Sequence, residues 1–109
     1  MLPYTIEEIT RRVTPVAKKY KLAAVYLFGS YARGKATADS DVDLLVDISG
    51  SEIDTLFMLG GLYSAFEEAL GAKIDLITTN SLEQPTDRRS ELRFNEIVKK
   101  ERRMIYAAA

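Results

Sequence analysis

The sequence predicts a small α/β or α+β domain, on three observations. The chain has 109 residues, enough for one domain and too few for two, so a single domain over residues 1–109 is expected. Its apolar residues switch between helical and strand periods along the chain. The elements so defined run α-β-β-α-β-α, an alternation that lets helices and strands share one core.

Thr5 followed by Glu8 makes a capping box and opens a helix with Ile6, Ile9 and Val13 on one face. Pro15 lies inside that pattern and predicts a kink or a restart before the helix ends near Tyr20. Ala23 to Phe28 is a short apolar run rich in β-formers, a buried strand. Gly29 ends it, Ser30 to Gly34 is a turn or single helical turn, and Lys35 to Ser40 is a polar loop. Asp41 to Ile48 alternates: Val42, Leu44, Val46 and Ile48 point one way, Asp41, Asp43, Leu45 and Asp47 the other. That is a strand with a core face and an acidic face.

Ser49-Gly50-Ser51 reads as a loop and a candidate helix cap. Glu52 to Leu70 has apolar residues at 53, 56, 59, 63, 66 and 70, the spacing of an amphipathic helix. Gly60-Gly61 weakens its middle by roughly 1 kcal/mol per glycine, with close packing as the return expected of them. Gly71 is a natural stop. The stripe of Leu56, Leu59, Tyr63 and Phe66 reads as core, with part of it available to an oligomer or partner interface in a domain this small. Lys73 to Thr78 is a third strand with Asp75 near its centre, and Asn80 to Thr86 a loop holding Pro85. Asp87 to about Lys100 reads as a charged helix with Leu92, Ile97 and Val98 inward, and Arg103 to Tyr106 as a short terminal strand. Ala107-Ala108-Ala109 reads as a frayed end or an artificial remnant.

Composition narrows the function. Hydrophobic residues make up 47% and charged residues 28%, ordinary values for a globular protein. A net charge of −1 argues against bulk attraction to nucleic acid or to an anionic membrane. No apolar run reaches the ~18 residues of a membrane span, and Met1-Leu2-Pro3-Tyr4 lacks the layout of a signal peptide. A cytoplasmic protein without direct nucleic-acid binding is expected. There is no cysteine and no histidine. Thiol nucleophiles, zinc–thiolate sites and the commonest acid/base side chain are therefore excluded. Any metal must be held by oxygen, which selects a hard cation such as Mg²⁺ or Mn²⁺. The basic residues Arg88, Arg89, Arg93, Lys99, Lys100, Arg102 and Arg103 form either a solvated helix face or a surface toward a partner or a triphosphate.

The chemistry concentrates between Leu27 and Val46. Gly29 sits where a strand gives way to a turn, and a glycine there lets a ligand approach the backbone. Ser30 adds a hydroxyl, and the turn adds free N–H groups; the set suits a phosphate, although Gly-Ser at a strand end also serves as a plain turn. Asp41 and Asp43 are two apart on a strand, so their carboxylates share a face, about 6–7 Å apart along the chain. They repel unless a cation lies between them; the alternative is a solvated strand face. Asp75 adds a third carboxylate from a run that otherwise looks half-buried, where a charge is costly unless paired or metal-bound. Three carboxylates, no histidine and a phosphate-type turn describe a two-cation phosphoryl-transfer site.

Gly29-Ser30, Arg33-Gly34 and Ser40-Asp41-x-Asp43-Leu44 together resemble the motif of the DNA polymerase beta-like nucleotidyltransferase superfamily. The short chain is similar to the minimal nucleotidyltransferases (MNT), the antitoxins of HEPN–MNT toxin–antitoxin pairs. The resemblance covers roughly Ile6 to Tyr106, most specifically Leu27 to Val46 and Asp75. It implies the nucleotidyltransferase fold, an α+β (α/β two-layer) arrangement of a small mixed β-sheet with helices packed on one face. It implies that Gly29 and Ser30 hold the β- and γ-phosphates of ATP, and that Asp41 and Asp43 bind two Mg²⁺ ions, or Mn²⁺. Asp75 would complete one cation site and act as, or near, the general base for the acceptor hydroxyl. Arg33 would line the phosphates or brace the loop. The implied activity is transfer of AMP to a tyrosine of a HEPN ribonuclease toxin, which inactivates it.

About 30 residues follow the third strand, too few for the acceptor-binding domain of larger relatives. A shallow acceptor site, or one supplied by another chain, is expected. Two other functions remain beside AMP transfer: an antitoxin acting mainly by binding and masking the toxin, and nucleotidylation of a small molecule. The intact carboxylate set favours catalysis over masking, and the missing second domain disfavours a small-molecule acceptor.

Overall fold

Helix α1 (Ile6–Lys19) begins where its cap predicts, with Thr5 Oγ1 accepting the Glu8 N–H at 3.0 Å. The structure, a computed structural model, describes residues 2–108; Met1 and Ala109, which end the two terminal segments read above, lie outside it. Pro15 does not interrupt α1. It sits on the exposed side, so the carbonyl of Arg11 that loses its helical partner faces water, and no restart is needed. Glu8 turns to Arg11 and Arg12, whose hydrogen bonds hold its carboxyl below the usual range.

Four strands follow the expected pattern: β1 (Ala24–Phe28), β2 (Val42–Asp47), β3 (Ile74–Thr78) and β4 (Arg103–Ala107). They lie in the order β3-β2-β1-β4. β1 runs antiparallel to β2 and β4, while β2 and β3 are parallel, so the sheet is mixed. A parallel pair needs a crossover connection, which α3 (Leu56–Leu70) supplies. A bulge shifts the register of β4 where Val25 gives way to Tyr26. Ala107 pairs with Ala24, and the Ala108 N–H donates to the Ala23 carbonyl at 2.9 Å. The expected frayed end is thus corrected for these two residues, which satisfy backbone groups of the sheet.

The alternation of β2 sorts the two faces as read. Val42, Leu44 and Val46 join Val25 and Leu27 against Ile9, Val13 and Ala17 of α1 and Leu62, Phe66 and Leu70 of α3. This is the expected sheet with helices packed on one face. The other face carries a smaller cap. There Phe28 and Leu45 meet Leu82 of the short α4 (Thr79–Leu82) and Val98 of α5 (Arg89–Glu101). The loop expected from Asn80 therefore opens with a helical turn, capped by Thr78 Oγ1, which accepts the Ser81 N–H at 3.3 Å.

Three expectations about helix faces are corrected. α3 starts at Leu56, capped by Thr55, rather than at Glu52 behind Ser51. Its buried stripe is Leu62, Phe66 and Leu70, while Leu56 is 86% exposed and Tyr63 lies at the margin. Gly60-Gly61 falls on the open side, where a Cβ at Gly60 would meet nothing. In α5 only Val98 is buried, and Leu92 and Ile97 are nearly half exposed. The cap is narrow: α5 touches the sheet through Val98 and through Phe94, set edge-on to Phe28 at 6.2 Å.

Candidate active site

The strand face away from α1 and α3 carries Asp43 and Asp75. Parallel pairing of β2 and β3 places these two residues opposite one another in register. Neighbouring strands lie about 4.8 Å apart, so cross-strand partners on one face are adjacent. Antiparallel pairing with β1 sets Asp43 opposite Phe28, the residue just before Gly29. The turn and the two aspartates therefore meet at one end of the sheet.

Gly29 opens α2 (Gly29–Ala32) with φ +74°, a conformation that favours glycine. A Cβ there would lie 1.9 Å from Asp43 Oδ2. The glycine is thus required twice, by its backbone and by the carboxylate seated against it. Ser30 follows on the same turn, half-buried, with its carbonyl accepting the Lys35 N–H at 2.9 Å. Asp41 lies exposed just before β2 and lines a depression of about 370 Å³ with Ser40 and Lys73.

The three carboxylates differ in surroundings. Asp43 is half-buried, and burial first, then the charges of Asp75 and Asp41, push its carboxyl up to about 6. Arg33 opposes that rise, and Glu101 adds to it. Asp75, expected in a half-buried setting, is exposed, because β3 is an edge strand whose second face is open at that point. The burial cost expected at Asp75 falls on Asp43 instead.

The donor chemistry fits a divalent cation. All three side chains are oxygen donors, and the like charges around Asp43 lack a cation of their own, since Arg33 is engaged elsewhere. Among the described residues no three acidic groups stand close enough to hold a metal unaided. The carboxylates make an open half-shell, which oxygens from a ligand would have to complete.

One residue at the turn escaped the sequence reading. Glu101, the last residue of α5, accepts the Gly29 N–H at 2.9 Å and pairs with Arg33 Nη1 at 3.1 Å. Nothing in its sequence surroundings marks it among fifteen other acidic residues; only the length of α5 brings it there. The basic segment, by contrast, does not form one patch. Arg88 pairs with Glu91, Lys99 with Glu83, and Arg102 stacks over the Tyr26 ring at 4.7 Å. Of the other four, Lys100 and Arg103 are exposed, and Arg89 and Arg93 lie beside Phe94 and Ile97 around a hollow of about 410 Å³.

Residues 11–105 match the family model described as Nucleotidyltransferase domain. The chain belongs to the nucleotidyltransferase domain family. The match spans the Gly29 turn and all three aspartates of this nucleotidyltransferase domain, and it bears out the family resemblance read from its motifs. The chain is similar to a Thermococcus cleftensis protein named Protein adenylyltransferase MntA, 38% identical over 86 residues, which are 75% of this chain and 85% of that protein. It shares its fold with a solved toxin–antitoxin complex holding AMP-PNP: TM-score 0.68 at 20% identity, over 91% of this chain and 73% of that one. A complex of a tri-AMPylated HEPN toxin of Shewanella oneidensis with its MNT antitoxin is alike at TM-score 0.62 and 17% identity, over 94% of this chain and 73% of that one. No helix of this nucleotidyltransferase domain, among the described residues, is long and apolar enough to cross a membrane.

Proposed function

We propose that this nucleotidyltransferase moves AMP from ATP to a tyrosine of a HEPN-family toxin and so acts as its antitoxin in the cytoplasm. The observation that carries the reading is the placement of Asp43 opposite Asp75 in parallel register, with Gly29 against Asp43 and Asp41 two residues before it. The protein adenylyltransferase name of the Thermococcus relative supports a protein acceptor. The AMPylated HEPN toxin bound by a protein of the same fold supports the partner.

In this reading the acceptor oxygen attacks the α-phosphorus of ATP, the bond from that phosphorus to the bridging oxygen breaks, and pyrophosphate leaves. Two Mg²⁺ ions, held by Asp41, Asp43 and Asp75, would stabilise charge on the attacking and leaving oxygens. The chain's own residues do the rest. Gly29 and Ser30 would hold the β- and γ-phosphates through the backbone of the turn and the Ser30 hydroxyl, while the missing side chain of Gly29 leaves Asp43 its seat beside that turn. Arg33 offers the phosphates the guanidinium nitrogens that Glu101 does not use. Asp75 would act as, or near, the general base that takes the proton of the acceptor hydroxyl, and its exposure at the open edge of the sheet supports that role. That open edge leaves room for an acceptor residue presented by another protein.

The test is incubation with labelled ATP, Mg²⁺ and the protein encoded next to this chain. Label on a tyrosine of that protein supports the proposal. Tight binding without label would establish masking in its place, and label on small molecules alone would overturn the protein acceptor.

A further inference from the structure

Glu101 stands at the phosphate turn without a part in the transfer just described. Its side chain is 17% exposed, and its two oxygens are both in use: Oε1 accepts from the Gly29 N–H at 2.9 Å, and both lie within 3.2 Å of Arg33 Nη1. The carboxylate is delivered by a fixed element. Val98 anchors α5 in the second core cluster, and the Arg102 N–H closes the helix on the Val98 carbonyl at 2.9 Å. Arg33 is the mobile member of the pair, about half exposed on a side chain with several rotatable bonds. Its charge already acts on Asp43. Released, the guanidinium would be free to pair with Asp43, which sits against Gly29 and for which no hydrogen bond or ion pair is found among the described residues.

We propose that Glu101 is a positioning residue: by holding the Gly29 N–H and the Arg33 guanidinium together, it keeps Arg33 off Asp43 and leaves that carboxylate to the cation. Both contacts with Arg33 run to Nη1. Nη2 and Nε, for which no partner is found among the described residues, stay open to a phosphate. The C-terminal helix thereby sets the geometry of a turn 72 residues earlier in the chain. This role rests on the cation and triphosphate reading given above.

The test uses the whole chain, with Mn²⁺ alone and Mn²⁺ with AMP-PNP as probes. Glu101→Gln keeps an acceptor for the Gly29 N–H but lets go of the Arg33 charge. It is expected to weaken Mn²⁺ binding about five-fold, in the range found for coupled charged neighbours. Adding Arg33→Met to Glu101→Gln is expected to restore that affinity, while Arg33→Met alone brings a smaller gain. Equal gains in both backgrounds would mean that the charges act only through their field, and would overturn the positioning role. Tighter AMP-PNP binding by Glu101→Gln would overturn it as well, by showing that the carboxylate occupies the seat of a phosphate. The Gly29 amide gives a readout without metal. Its NMR signal and exchange protection should persist in Glu101→Gln and be lost in Glu101→Ala, and unchanged protection in Glu101→Ala would refute the contact. Wild-type protein that binds no Mn²⁺ would overturn the cation reading and this proposal with it. Wild-type binding with unaltered affinity in Glu101→Gln would overturn the proposal alone.

Discussion

Replacing Asp43 by Asn should make the metal-free protein more stable above pH 6 and at the same time abolish transfer. Burial, then the charges of Asp75 and Asp41, raise the Asp43 carboxyl from an ordinary 3.8 to about 6, with Arg33 opposing and Glu101 adding. Between those two values the folded chain binds more protons than the unfolded chain. The stability linked to this group is therefore fully present below about pH 4 and is lost as the pH rises through 6. At 1.36 kcal/mol per pH unit the full interval is worth about 3 kcal/mol. Asp43 keeps part of its surface in water, and solvent screening brings the figure to about 1 kcal/mol. Asparagine has nearly the same shape and no charge, so it escapes the loss. Thermal unfolding followed by circular dichroism should show the two proteins melting together at pH 4. At pH 8 the variant should melt about 4 °C higher. Mg²⁺ at pH 8 should stabilise the wild type and leave Asp43→Asn unmoved, because only the wild type offers the full set of charges. Asp75→Asn serves as the contrast: that residue is exposed and carries no burial cost of its own, so transfer should be lost while the melting temperature at pH 8 rises by less than in Asp43→Asn, through relief of its repulsion with Asp43 alone. Wild-type and Asp43→Asn curves that run parallel from pH 4 to pH 8 would refute the claim that the site stores unfavourable charge. Near-normal AMP transfer by Asp43→Asn would refute its place in the cation site.

Gly29→Ala is expected to abolish AMP-PNP binding in a calorimetric titration, because its Cβ would fall 1.9 Å from Asp43 Oδ2 and displace that carboxylate. The positive φ should add about 1 kcal/mol of destabilisation, and binding at wild-type affinity would contradict the packing of turn against carboxylate. Gly60→Ala, in an exposed helix interior with open space around it, should stabilise the protein by about 1 kcal/mol in urea unfolding. A lowered urea midpoint would mean that a side chain at this point of α3 meets something that the fold does not show.

The elements and most of the site were legible because their signals are local. Thr5 caps α1, the alternation of Val42, Leu44 and Val46 sorts two faces, and Gly29 to Asp43 is one hairpin-sized segment. What escaped depended on phase. The helix read from Glu52 begins at Leu56, and its buried stripe runs through Leu62, Phe66 and Leu70 with Tyr63 at the margin. Glu101 was invisible for the same reason, since a helix turns about 100° per residue and only the observed length of α5 aims that side chain at Gly29. The reading of Asp75 went astray on burial. An apolar run with one charge suggests a half-buried strand, but an edge strand can be covered on one face and open on the other. The difference bears on mechanism. The carboxylate that most needs a positive neighbour is Asp43, seated between the glycine turn and two other aspartates. The carboxylate with open space before it is Asp75. A cation on the inner side and an acceptor hydroxyl on the outer side would each meet the aspartate suited to it, one starved of counter-charge and one free to receive a proton. A domain this small can divide those tasks because β2 is interior to the sheet and β3 is its edge.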